Sequence, residues 1–152
     1  MSEKENNTDT IVKTTIILVV DDHPIVRDGL AQLINLEVDL VVSAKAGNIA
    51  EAVEAVKRQR IDLAIVDMLL EDETGAQVTE NIKALCPNLI VLIFSMSDNP
   101  KYVKQAFAAG AIGYILKEEL SEKIIDAIRQ VLKGEVYISK KLAGKSFLKS
   151  PN

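Results

Sequence analysis

Four apolar runs that each end on a polar or charged residue constrain this chain more than any other feature. Residues 16–20 (IILVV) lead into Asp21 and Asp22, 63–66 (LAIV) into Asp67, 89–94 (LIVLIF) into Ser95, and 112–116 (IGYIL) into Lys117. Runs this short, with this β-branched content and alternating with helical patterns, read as parallel strands buried on both faces. Ligands of an open parallel sheet sit at the carboxyl ends of its strands. Three carboxylates, a hydroxyl and an ammonium are therefore expected on one rim.

The intervening segments carry helical stripes. Pro24 suits an early helical position, with Asp22 or His23 available as the cap, and Val26, Leu30, Leu33 and Ile34 follow at i, i+4, i+7 and i+8. A second strand is expected at 38–42 (VDLVV). Asn48 followed by Glu51 resembles a capping box ahead of the stripe Ile49, Val53, Val56. A third helix should begin near Thr74 and Gly75 and stop before Pro87, because proline disfavours helix in the residue before it. Asn99 and Pro100 open a fourth, with Val103, Ala106 and Phe107 inward and Gly110 at its end. Ser121 is expected to cap a fifth, with Ile124, Ile125, Ile128 and Leu132 inward and Gly134 as its stop. Five strand and helix units predict an α/β domain, a doubly wound five-stranded parallel sheet with helices on both faces.

At 152 residues the chain is one domain's worth. Residues 1–13 are polar and Asn-rich and read as a disordered N-terminal tail, 14–135 as the folded domain, and 136–152, with Lys140, Lys141, Lys145 and Lys149, as a solvated extension or the start of an interdomain linker. A net charge of −4 and a pI near 5.1 argue against this segment gripping nucleic acid by itself. No run approaches the ~18 apolar residues of a spanning helix. The single Cys86 forms no internal disulfide and reads as a packed thiol, and with no export signal a reducing cytoplasm is the expected location.

The carboxylates create a physical demand. Two unit charges ~5 Å apart repel by about 3 kcal/mol at an effective dielectric of 20. Three ionised on one rim require a cation, and an oxygen-only set suits Mg2+. Three Asp, one Mg2+ and one Lys sum to zero, which matches a phosphoryl group: the metal and ammonium offset its oxygens, a hydroxyl donates to one of them, and a carboxylate attacks phosphorus. Asp67 stands alone at its strand end and is the candidate nucleophile, leaving Asp21 and Asp22 for the metal. Singly, each residue has a plainer reading as a cap, turn former or surface charge. Their joint placement at successive strand ends is what favours a site.

The segments 17–30 (ILVVDDHPIVRDGL), 62–75 (DLAIVDMLLEDETG) and 93–117 (IFSMSDNPKYVKQAFAAGAIGYILK) resemble receiver domains of two-component response regulators, and look most like the NarL/FixJ branch, whose members usually carry a C-terminal LuxR-type helix-turn-helix. The resemblance covers residues ~15 to 135 and implies a flavodoxin-like fold of receiver type. It implies that Asp67 accepts phosphoryl from a sensor histidine kinase, that Asp21, Asp22, Asp67 and the backbone carbonyl of Leu69 bind Mg2+, that Lys117 contacts the phosphoryl group, and that Ser95 moves to hydrogen-bond it while Tyr114 rotates inward. Such a domain is not an enzyme in the usual sense; it promotes its own phosphorylation and dephosphorylation. Its output shifts a face built from helix four, strand five and helix five, with homodimerisation on phosphorylation and DNA contact only through an output domain absent from this chain. No membrane partner is implied.

Three departures stand beside the resemblance. Glu71, in the run Glu71, Asp72, Glu73, occupies a position where many receivers have proline; its charge is expected to weaken phosphoryl retention or shift metal affinity, or to be merely solvated. Met96 follows Ser95 where many have a small residue. The expected output domain does not follow, so the chain reads as a fragment of a longer regulator or as a stand-alone interaction module. Among rivals, an aspartyl-phosphate phosphohydrolase would usually have a second Asp at position 69, where Leu69 stands, so storage rather than turnover is expected. A pseudo-receiver keeps the architecture without the chemistry. A dinucleotide fold lacks its glycine-rich turn, Ser95 lies in no nucleophile elbow, and one His and one Cys make no zinc site.

Overall fold

The computed structural model describes residues 13–143. The polar stretch at 1–12 and the chain end at 144–152 lie outside the described residues, so the expected tail and most of the expected linker do too. In chain order the elements are β1 (Thr15–Val20), α1 (Pro24–Ile34), β2 (Leu40–Ala46), α2 (Ile49–Arg58), β3 (Leu63–Asp67), α3 (Gly75–Leu85), β4 (Ile90–Ser95), α4 (Pro100–Ala109), β5 (Gly113–Leu116), one 3-10 turn (Lys117–Glu119), α5 (Leu120–Leu132), β6 (Tyr137–Ile138) and α6 (Lys140–Ala143).

The strands form one all-parallel sheet in the order β2-β1-β3-β4-β5-β6. Alternation along each strand splits the core in two. Leu18, Val20, Ala64, Val66, Tyr114 and Leu116 face α2, α3 and α4, whereas Ile17, Val19, Leu63, Ile65, Phe94 and Ile115 face α1 and α5. Every residue of β3 and β5 is buried, which is why these strands read as unbroken apolar runs. Strand order reverses between β1 and β3, and that switch point opens a crevice at their carboxyl ends.

The doubly wound architecture agrees with expectation, with six strands in place of five. Residues 137–143, expected to be solvated, instead form β6 and α6: Tyr137 and Ile138 pair with Gly113 and Tyr114, and Ser139 and Leu142 are fully buried. β2 starts two residues late because Val38 and Asp39 lie in a turn closed by Leu40 N donating to Glu37 O, and it runs on to Ala46 past a register slip at Ser43.

Helix starts follow local chemistry. Thr74 and Gln77 form a reciprocal capping box on α3, and Asn99 caps α4 through Lys101 N. Asn48 accepts from Glu51 N, but the Glu51 carboxylate reaches Gly47 N and not Asn48 N, so the box on α2 is incomplete. His23, not Asp22, occupies the cap position of α1 and makes no side-chain cap bond. Ser121 lies inside the first turn of α5 and not at its cap, because the 3-10 turn feeds the helix directly. Gly110 ends α4 at φ +115°, a left-handed conformation that glycine adopts without steric cost.

Candidate functional site

Asp67 is the last residue of β3 and is 2% exposed; Asp21 follows β1 directly and is fully buried; Lys117 follows β5. Parallel pairing of β1 with β3 brings the two carboxylate-bearing ends side by side. The approach is tight. A Cβ on Gly75, the first residue of α3, would lie 2.5 Å from the Asp67 carbonyl oxygen and 2.8 Å from Met68 Cα, so only glycine lets the loop from Met68 close back onto the strand end.

Lys117 Nζ lies 3.4 Å from Asp67 Oδ2 and 3.8 Å from Asp21 Oδ2, and 5.4 Å from the centre of the Phe94 ring beneath it. Asp67 Oδ1 accepts from Leu69 N at 3.1 Å. Asp21 Oδ1 accepts from His23 N at 2.8 Å and meets His23 Nδ1 at 3.0 Å; Asp22 Oδ2 accepts from Glu71 N at 2.7 Å. Two buried carboxylate oxygens, Asp21 Oδ2 and Asp22 Oδ1, have no hydrogen-bond partner, although the first faces Lys117 and the second lies 3.0 Å from His23 Nδ1.

One ammonium does not neutralise three carboxylates. Burial pushes the Asp67 carboxyl up to about 6, reinforced by the charge of Asp21 and opposed by the Leu69 amide and Lys117. The hydrogen bond to Asp21, with the charges of Asp21 and Asp22, raises the pKa of His23. Ligand atoms from Asp21, Asp22, His23 and Asp67 all lie within 4.8 Å of one another. The orphaned oxygens and the carboxylate-rich donor set fit a hard divalent cation such as Mg2+.

Leu69 sits in a tight turn closed by Gly75 N donating to Met68 O and Leu70 N donating to Glu73 O, opposite Thr74. That pattern keeps the Leu69 amide and carbonyl outside the ladder, on the side where the amide reaches Asp67. Ser95 and Tyr114 are both fully buried, yet neither hydrogen-bonds Asp67: Ser97 N donates to Ser95 Oγ, and the Tyr114 hydroxyl donates to Ser97 O. The structure thus brings Asp21, Asp22, Asp67 and Lys117 together and sets Ser95 and Tyr114 beside them as a linked pair. Met96 is 77% exposed and points away from the core.

Sequence reasoning missed several participants. His23 was legible only as a cap, although its place after two aspartates is what lets it reach back to Asp21. Arg27 Nη1 donates to Asp21 O, and Glu73 accepts from Ile49 N at the start of α2, tying the acidic loop to the neighbouring helix. A cleft of about 480 Å3 lies between them, lined by Asp22, Arg27, Asn48, Glu51 and Glu71 among others. Only the tertiary pairing of distant loops reveals these roles.

The response regulator receiver domain family matches residues 17–129. The oxygen regulatory protein NreC of Staphylococcus epidermidis is 36% identical over 127 residues, covering 83% of this chain and 58% of NreC. The uncharacterized transcriptional regulatory protein YxjL of Bacillus subtilis is 34% identical over 119 residues, covering 78% of this chain and 55% of YxjL. The chain therefore spans little more than half the length of these relatives. The crystal structure of a LuxR-family two-component response regulator from Aurantimonas sp. superimposes with a TM-score of 0.84 at 31% identity, over 90% of this chain and 98% of that one. The signal receiver domain of the putative response regulator NarL from Mycobacterium tuberculosis gives 0.74 at 31% identity, over 81% and 99%.

Proposed function

Because the chain belongs to the response regulator receiver family, we propose that Asp67 accepts a phosphoryl group from the phosphohistidine of a sensor histidine kinase and that the resulting change controls transcription. The observation that carries this reading is the buried, under-neutralised Asp67, flanked by a lysine and two carboxylates with orphaned oxygens.

Asp21, Asp22, Asp67 and the Leu69 carbonyl would hold Mg2+, which when bound offsets charge on the phosphoryl oxygens. A carboxylate oxygen of Asp67 forms the bond to phosphorus as the P–N bond to imidazole breaks; the electron pair stays on the ring nitrogen, which takes up a proton. Lys117, now 3.4 Å from Asp67, exchanges that contact for a phosphoryl oxygen, so its charge is already in place. At position 69 leucine supplies no general acid or base, which favours storage over turnover.

Ser95 Oγ accepts from Ser97 N and keeps its own proton to donate, so its movement to the phosphoryl group strains or releases that bond. That movement unsettles the Ser97 peptide on which Tyr114 also rests, and so carries the event towards α4, β5 and α5. The reading places the protein in the cytoplasm, dimerising on phosphorylation and reaching DNA through a LuxR-type domain in the longer regulator. Among the described residues no helix is long and apolar enough to cross a membrane.

The test is incubation with acetyl phosphate and Mg2+ followed by intact mass. Wild type should gain one phosphoryl group and Asp67→Asn none. A wild type that gains nothing would make the chain a pseudo-receiver.

A further inference from the structure

The segment after α5 is bound to the strand end that carries Lys117. β6 pairs only with Gly113 and Tyr114 and stops two residues short of the end of β5. There the fully buried Ser139 takes over: its amide donates to Tyr114 O at 3.1 Å, and its Oγ accepts from Leu116 N at 2.8 Å. A serine side chain thus replaces the missing strand neighbour at the last residue before Lys117.

Leu116 is also where the backbone leaves the strand for the 3-10 turn, at φ −75° and ψ 139°. Its peptide sets the direction in which Lys117 departs. On the other side of Lys117, Glu118 is held by Lys141 Nζ at 2.7 Å. Leu142 anchors the arrangement, buried in the same apolar cluster as Tyr114 and Leu116, and Gln130 Nε2 donates to Val136 O at 2.6 Å. Residues 136–143 therefore hold the Leu116 peptide on one side of the lysine that faces Asp67, with a solvent-exposed ion pair on the other.

We propose that Ser139 is a positioning residue for the phosphoryl site, acting through the Leu116 peptide on Lys117, and that residues 137–143 in turn dock more tightly when Asp67 is phosphorylated. The second half follows from the first by linkage: whatever docking does to favour Lys117 at the phosphoryl group, the phosphoryl group does equally to favour docking. The inference rests on the receiver reading above. It makes the segment a part of the site's backbone support.

Two measurements on the full chain test it. Amide hydrogen exchange with and without acetyl phosphate and Mg2+ should show the Leu116 amide and residues 137–143 slowed about fivefold or more on phosphorylation, within the usual range of coupling between sites. In the same buffer Ser139→Ala should gain phosphoryl about fivefold more slowly than wild type, while Ser139→Thr, which keeps the accepting oxygen, stays within about twofold. A merely structural serine would lower stability without making exchange in residues 137–143 depend on phosphorylation. If wild type is phosphorylated but exchange in residues 137–143 does not change, or if folded Ser139→Ala reacts at the wild-type rate, the inference is overturned and the receiver reading stands. If wild type gains no phosphoryl group, both fall. Should Ser139→Ala fail to fold, exchange in wild type decides alone.

Discussion

Ser95 and Tyr114 are joined through the two polar groups of one residue: Ser97 donates its amide to Ser95 Oγ at 3.0 Å and accepts the Tyr114 hydroxyl on its carbonyl at 3.0 Å. The two hydroxyls therefore share a support, and they also meet directly, a hydrogen bond with Ser95 opposing the rise in the Tyr114 pKa. Removing either alone disturbs that support, so Ser95→Ala and Tyr114→Phe should be non-additive, with a coupling of about 0.5–2 kcal/mol. Denaturant unfolding of the two single variants and the double variant measures it, and simple additivity would show that neither the Ser97 peptide nor the direct contact couples them.

Burial pushes the Tyr114 hydroxyl up to about 12, above its ordinary value of 10.0. Below the ordinary value both folded and unfolded chains keep the proton, and stability does not depend on this group. Between 10.0 and about 12 the unfolded chain ionises first, so stability falls as pH rises, by up to about 2 kcal/mol. Tyr114→Phe should be less stable than wild type at neutral pH through the lost hydrogen bond, by about 1 kcal/mol, yet decline less in alkali. Chemical denaturation of both proteins across that interval separates the two effects.

In metal-free buffer at neutral pH, Asp67 is ionised against its preference, because its folded pKa is raised to about 6. The cost is present above that value and disappears as pH falls through it towards the ordinary carboxylate range. Asp67→Asn should accordingly be more stable than wild type at neutral pH without metal, by about 1–3 kcal/mol. Millimolar Mg2+ should narrow the gap by stabilising wild type alone. Thermal melts with chelator and with Mg2+ give both numbers, and a destabilised Asn variant would show that the Lys117 contact outweighs burial.

Glu71 contributes through its backbone, since its amide donates to Asp22 Oδ2 at 2.7 Å. Proline here deletes that donor along with the charge, so Glu71→Pro alone does not test the charge. Glu71→Gln should leave Mg2+ affinity within about twofold, as expected for an exposed side chain screened by water. Glu71→Pro should bind Mg2+ more tightly, by about threefold, because Asp22 loses a competing hydrogen bond. Calorimetric titration distinguishes them; a large change in the Gln variant would return the effect to charge.

The sheet and the main constellation were legible because each strand's end coincides with a change from apolar to ionisable residues. Asp21, Asp67 and Lys117 could be placed together with no knowledge of distances, since parallel strands put all carboxyl ends on one rim. What was not legible depends on pairing between distant segments. β6 has two residues and no alternation to detect, and it exists because β5 offers an edge and Leu142 finds the apolar cluster behind it. Ser121 has the composition of a cap but not the position, because the turn at Lys117–Glu119 already supplies helical geometry upstream. Ser97 and Ser139 are ordinary residues in sequence and acquire their roles only from the peptides that face them.

The closure of β5 also bears on self-association. An exposed strand edge offers its free amides and carbonyls as a template for another chain. On the β5 side, Ile112 O, Tyr114 O and Leu116 N are occupied by Tyr137 N, Ser139 N and Ser139 Oγ, and the strand left outermost is only two residues long. Growth of the sheet from one copy into the next thus has only a two-residue edge to build on at this side.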